Sequence, residues 1–199
     1  MNNILNIIAE KFDLPILDWI AANIWCPFLD IIMPYITLLG DAGIFWIACA
    51  LIMMLIPKYR KAGFKMGLAL ILGLLLCNVT LKPLVARIRP YDYQLEHFGK
   101  EISLLISAQH DFSFPSGHTI ASFEAATALY ICHKKEGIAA LILAAVIAFS
   151  RIYLYVHYPT DVIASVVFGI ALAYVSHKII DMLYLKLQKS NTLSDNLDQ

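Results

Sequence analysis

From residue 36 onward the chain reads as long apolar runs separated by short polar stretches. A helix that crosses a bilayer needs roughly 17–25 predominantly apolar residues. Five runs meet or approach that length: about 36–56, 62–82, 117–132, 137–156 and 160–184. The pattern predicts an all-α integral membrane bundle of five transmembrane helices. Between the second and third runs lies a connection, about 83–116, that carries Arg87, Arg89, Asp92, Glu96, Lys100 and Asp111 and so has no place in hydrocarbon. Within it, residues 95–106 read as an amphipathic helix on the membrane surface.

Ahead of the first run the pattern differs. Ile4, Ile7, Ile8 and Phe12 recur at helical spacing. A second short helix is expected after Asp13, with Pro15 in its first turn and Ile16, Leu17, Ile20 and Ile24 on one face. Trp19 and Trp25 suit the headgroup level. Glu10 and Lys11 interrupt any apolar core, so this stretch does not read as a cleaved signal. Two readings fit it equally: interfacial helices lying on or dipping into the membrane, or helices packed on the bundle as ordinary core. The predicted organisation is an interfacial segment over 1–34, a transmembrane domain over 35–187 and a frayed polar tail over 188–199.

Composition supports the bilayer. Hydrophobic residues make up 60 % of the chain and charged residues 15 %, where a soluble domain is about half apolar and about a quarter charged. Formal net charge is zero, so no global field points to nucleic acid as a partner. Cys26, Cys49, Cys77 and Cys132 sit at no metal-ligand spacing and read as free thiols acting as small hydrophobes.

The distribution of charge is more informative than its sum. Lys58, Arg60, Lys61, Lys65, Lys134, Lys135, Lys178, Lys186 and Lys189 fall at one set of helix ends, predicted to be cytoplasmic. Lys82, Arg87, Arg89, Lys100 and Arg151 fall at the other, outer set, against the usual bias. They belong to three blocks: Lys82 with Arg89-Pro90; Pro115-Ser116-Gly117-His118; and Ser150-Arg151 with His157 and Asp161.

Three cations, two histidines and an acid at one surface suit a phosphate, whose oxygens an arginine grips in pairs. Ser116 is a natural N-cap, so the amides of Gly117 and His118 would point out of a helix N-terminus toward an anion. Asp161, four residues after His157, is spaced to reach its imidazole N–H, fix the tautomer and leave the other nitrogen free as a nucleophile. His118, from another helix, is then placed to protonate a leaving oxygen.

With these blocks the sequence resembles the type 2 phosphatidic acid phosphatase superfamily. Its pattern is K-x6-R-P, then P-S-G-H, then S-R-x5-H-x3-D, and every specified position is present in order. The resemblance spans about residues 36–185. It implies a metal-independent lipid phosphatase without a cofactor, in which His157 forms a phosphohistidine, Asp161 supports it and His118 serves as acid and then base. It implies that Lys82, Arg89, Ser116, Gly117 and Arg151 bind the substrate phosphate. Many bacterial members have six spanning helices; here the first is missing or reduced to the interfacial segment. The compact size resembles that of small undecaprenyl pyrophosphate phosphatases in a bacterial plasma membrane, with the site facing outward.

Competing readings remain distinct. One replaces the substrate with phosphatidylglycerophosphate, phosphatidic acid or a lipid A phosphate. Another passes the phosphoryl group to an acceptor other than water. A different class is a catalytically silent lipid-binding or transport protein. Membrane lipids and a lipid-linked phosphate are the only partners implied. Among residues outside the pattern, Arg87 reads as a headgroup contact and Asp41, in a glycine-flanked break, as structural. Glu124 reads as paired with Asn78 or a hydroxyl. Tyr153, Tyr155 and Tyr158 read as a membrane-interface belt, and His97, His110, His133 and His177 as surface or interfacial groups.

Overall fold

The structure, a computed structural model, describes residues 2–197, with side chains described for residues 4–189. The described chain is helical throughout its regular elements. Short helices α1 (Asn2–Ile8) and α2 (Leu14–Asn23) are joined by a π-helical stretch, Ala9–Asp13. Then come α3 (Pro27–Leu38), α4 (Ile44–Leu55), α5 (Arg60–Leu74), α6 (Lys82–Val85), α7 (Pro90–Phe98), α8 (Gly117–Cys132), α9 (Lys134–Tyr153) and α10 (Pro159–Leu197). The expected polar tail falls largely on residues 190–199, which lie outside the described side chains.

Three helical segments are long and apolar enough to cross a membrane: Arg60–Phe98, Lys134–Tyr153 and Pro159–Lys189. A fourth is the bent pair formed by α3 and α4, which meet at 42°. The first apolar run begins at Pro27, ahead of the start expected near 36, and breaks at Gly40–Gly43, where the glycine-flanked break was expected. Ala42 and Gly43 adopt φ of 49° and 66° there, a left-handed conformation that cannot continue a right-handed helix. The third run is α8, 16 residues long. It lies within the bundle, packed against α5, α9 and α10, with Ala125, Ala126 and Ala128 fully buried. Around this core Leu55, Ile138, Ile142, Ile163, Val167 and Leu183 are exposed, the apolar outer face that a bilayer covers.

The connection over 83–116 corrects one expectation. Its helix is α7, which ends at Gly99 with φ of 63°. A left-handed glycine closes the last turn, so no helix runs over 95–106. Residues 99–116 are irregular.

The interfacial tyrosine belt is also corrected. Tyr153, Tyr155 and Tyr158 are at most 1 % exposed. With Leu14, Leu17 and Ile20 of α2 and Met33 of α3 they form one apolar cluster at the site end of the bundle. The N-terminal helices are packed onto that cluster, and Trp25 Nε1 donates to the Tyr153 carbonyl at 2.9 Å. At the opposite end, His177 is half-buried. It lies 2.6 Å from the ammonium of Lys65, itself 2 % exposed, and Asp181 pairs with Lys65 at 2.9 Å.

Candidate active site

The three blocks converge. Lys82 opens α6, where the π-helical stretch Leu75–Leu81 hands over from α5. Single π segments recur at functional sites because the extra residue re-aims the side chains beyond it. Arg89 is the residue before α7. Ser116 caps α8, its hydroxyl accepting from the Thr119 amide at 3.4 Å, and its own amide donates to Ser165 Oγ at 2.8 Å. Arg151 lies in the last turn of α9, and His157 sits in the tight connection to α10. Lys82, Arg89, Gly117, His118, Arg151 and His157 all line one cavity of about 710 Å3. Ser116 and Asp161 lie immediately behind it and are fully buried.

His157 is 2 % exposed. Its Nε2 lies 3.4 Å from Arg89 Nη1, and that same nitrogen of Arg89 donates to the Val156 carbonyl at 2.7 Å. Burial, and then the positive charges of Arg89 and Arg151, push the His157 imidazole well below the usual histidine range. It is thus held neutral with a lone pair available.

The expected direct contact between His157 and Asp161 is longer than a hydrogen bond, with Nδ1 and Oδ2 3.7 Å apart. Ser113 fills the gap. Its hydroxyl donates to Asp161 at 2.5 Å and lies 3.5 Å from His157 Nδ1. Asp161 also accepts from the Tyr158 amide at 3.2 Å.

Arg87 is corrected from a headgroup contact to a buried support. It is 6 % exposed, pairs with Asp161 and, at 2.7 Å, with Asp13, and lies 3.7 Å from the centre of the Tyr158 ring. Asp13 in turn accepts from the Thr160 amide at 2.9 Å. Asp41, read as structural, reaches His118 Nε2 at 2.7 Å. Asp111 bridges Lys82 and Arg89 with its two carboxylate oxygens. Burial opposes its ionisation, but the hydrogen bond from Lys82 and the charge of Arg89 outweigh this and hold its carboxyl at about 2.

Arg151 is 1 % exposed and donates to Thr37. Its Nε has no partner, and among the described residues it forms no ion pair. A buried guanidinium without a countercharge is costly unless an anion joins it, and the cavity beside it leads to Lys82 and Arg89. The cluster can therefore receive a multiply charged anion, set a neutral imidazole against it, and supply a second histidine steered by a carboxylate.

Sequence reasoning missed Ser113, Asp13, Asp41 and Asp111. Asp111 carried one usable signal: it is an acid within the basic outer connection, and buried or clustered cations call for countercharge.

Comparison with known proteins identifies the family of the chain. An undecaprenyl-diphosphatase of Sulfolobus acidocaldarius is 31 % identical over 135 residues, covering 67 % of this chain and 63 % of that protein's own length. Among solved structures, Aquifex aeolicus LpxE superposes with a TM-score of 0.71 and 26 % identity, over 83 % of this chain and 94 % of the other. A transmembrane PAP2-type phosphatidylglycerolphosphate phosphatase of Bacillus subtilis superposes with a TM-score of 0.68 and 26 % identity, over 91 % and 88 %. The sequence pattern of the PAP2 superfamily itself matches residues 62–184, a stretch that takes in Lys82, Arg89, His118, Arg151, His157 and Asp161. With apolar helices built to cross a bilayer and these residues gathered at one end, the chain is a membrane protein that belongs to the PAP2 superfamily.

Proposed function

We propose that the protein is a lipid phosphate phosphatase that works through a phosphohistidine on His157. The observation that carries this reading is the pairing of a neutral, buried His157 with an unpaired, buried Arg151 in one cavity. His157 Nε2 attacks phosphorus, and the bond from phosphorus to the leaving oxygen breaks as His118 gives that oxygen a proton. Lys82, Arg89, Arg151 and the amides at the start of α8 offset the charge on the phosphoryl oxygens, the main demand of phosphoryl transfer. Asp161, through Ser113, and Asp41 hold the two histidines in orientation. Water then attacks the phosphohistidine with His118 taking its proton, the nitrogen–phosphorus bond breaks, and phosphate leaves.

The substrate reading is undecaprenyl pyrophosphate, supported by the name of the Sulfolobus relative. Phosphatidylglycerophosphate is the second reading, favoured by the match to the Bacillus structure over most of both chains. The bacterial relatives support a bacterial plasma membrane, and the basic-residue distribution supports a site on its extracytoplasmic face.

The test is phosphate release by purified protein in detergent with EDTA present. The panel is undecaprenyl pyrophosphate, phosphatidylglycerophosphate, phosphatidic acid and a soluble phosphate ester, each beside His157→Ala. Turnover that survives EDTA and vanishes in the variant is expected. Turnover indifferent to His157 sinks the mechanism, and none on any substrate returns the silent lipid-binding reading.

A further inference from the structure

The site cavity does not end at the phosphate-facing cluster. It continues between α4, α5 and α8 past Ile47, Leu51, Met54, Phe64, Leu68 and Ile71, all apolar. From Gly43 to Met54 α4 advances about 16 Å, so this is a slot of hydrocarbon-chain length. One ionisable side chain interrupts its wall away from the polar end: Glu124.

Glu124 is 1 % exposed and lines the slot. It stands six residues beyond His118 on α8, about 9 Å deeper along the helix axis. Its Oε2 is buried without a hydrogen-bond partner. The expected pairing with Asn78 or a hydroxyl does not meet that oxygen, and the nearby Ser122 hydroxyl accepts from Trp46 Nε1 at 2.9 Å. The wall opposite is Gly73 on α5, and a Cβ there would collide with the Glu124 carboxyl oxygens. A glycine thus leaves room for a carboxyl that the protein itself does not fully satisfy. Buried polar groups are nearly always hydrogen-bonded, so an orphan facing a cavity asks for a partner from whatever fills it.

We propose that Glu124 is a specificity-determining residue for the lipid. It gives an otherwise apolar slot one hydrogen-bonding position, and so favours lipids with an ester, amide or hydroxyl oxygen a few bonds behind the phosphate over lipids that continue as plain hydrocarbon. A plain chain leaves the carboxyl unmet, and a site built to hydrogen-bond an oxygen rejects the analogue lacking it. The inference rests on the proposed reading in taking the cavity as the seat of the phosphorylated lipid, and between the two substrate readings it favours phosphatidylglycerophosphate, an ester lipid, over undecaprenyl pyrophosphate, a plain hydrocarbon chain.

The experiment compares dioleoyl phosphatidic acid, an ester lipid, with geranylgeranyl phosphate, a hydrocarbon one. The ratio of kcat/KM for the two is measured in wild type, Glu124→Gln, Glu124→Leu and Gly73→Ala. Glu124→Leu is expected to lower the ester-to-hydrocarbon ratio about tenfold, the scale of one lost buried hydrogen bond. Glu124→Gln, which keeps hydrogen-bonding atoms, is expected to hold the ratio, and Gly73→Ala, which displaces the carboxyl, to lower it. The same ratio is read as binding affinity in a His157→Ala background, where nothing is consumed. A ratio unchanged by Glu124→Leu in turnover and in binding overturns the inference. Where neither lipid turns over, the binding ratio alone decides for or against Glu124, and the phosphatase reading falls only if the full substrate panel above is inert as well.

Discussion

Arg87 pairs with Asp161, the carboxylate that stands behind His157. The same guanidinium holds Asp13 from the N-terminal segment, so two buried acids depend on one cation. Removing one partner of a buried ion pair costs on the order of 3–5 kcal/mol, because the other charge stays buried and unpaired. Arg87→Met is therefore expected to lower unfolding stability in detergent by that order and to abolish phosphate release. Arg87→Lys, which keeps the charge but not the fork of donors, is expected to fold and to lose activity in part. Full stability of Arg87→Met in a denaturant titration contradicts this account.

Asp111 sits on the two cations that a phosphate would use. Its side chain is 52 % exposed, and an exposed ion pair is worth roughly 0.2–1 kcal/mol. Releasing two such pairs is expected to tighten binding of inorganic phosphate about two- to thirtyfold in Asp111→Asn. The measurement is competitive inhibition by phosphate. Weaker inhibition in the variant shows that Asp111 organises Lys82 and Arg89 instead of competing for them.

The state of His157 sets a pH dependence. An ordinary histidine titrates near 6.5; burial and the charges of Arg89 and Arg151 push His157 below that. A lowered value means that the neutral nucleophile persists to lower pH. The acid limb of kcat/KM, corrected for the substrate's own titration, is expected below the ordinary histidine range, with an alkaline limb where His118 loses its proton. An acid limb above 6.5 assigns the nucleophile's task to another group.

Ser113 stands between His157 and Asp161. Ser113→Ala removes that link while leaving the phosphate-facing cations in place. The expected result is a fall in kcat of about tenfold or more, with KM little changed. A change confined to KM moves Ser113 out of the histidine's support.

Much of the site was legible because it is local. Ser116 capping α8, and the spacing of Arg151, His157 and Asp161 across one helix junction, come from short stretches of sequence, and the apolar runs locate the helices that carry them. What was not legible depends on segments far apart meeting. Asp13 and Arg87 are separated by 74 residues, and nothing near Arg87 announces an acid from the first helices. The tyrosines after Arg151 looked interfacial because aromatic residues at a helix end usually are. They are buried because α2 and α3 fold back over them. The helix expected over 95–106 failed at a single residue, Gly99.

The pairing of Asp13 with Arg87 and Thr160 separates having a motif from being able to use it. A chain shortened to the stretch that matches the superfamily, 62–184, would keep every residue of the three blocks. It would also leave Arg87 and Thr160 without the acceptor they share. The amino-terminal helices act as a keystone set from outside the arch, and searching by signature alone would count such a shortened chain as intact.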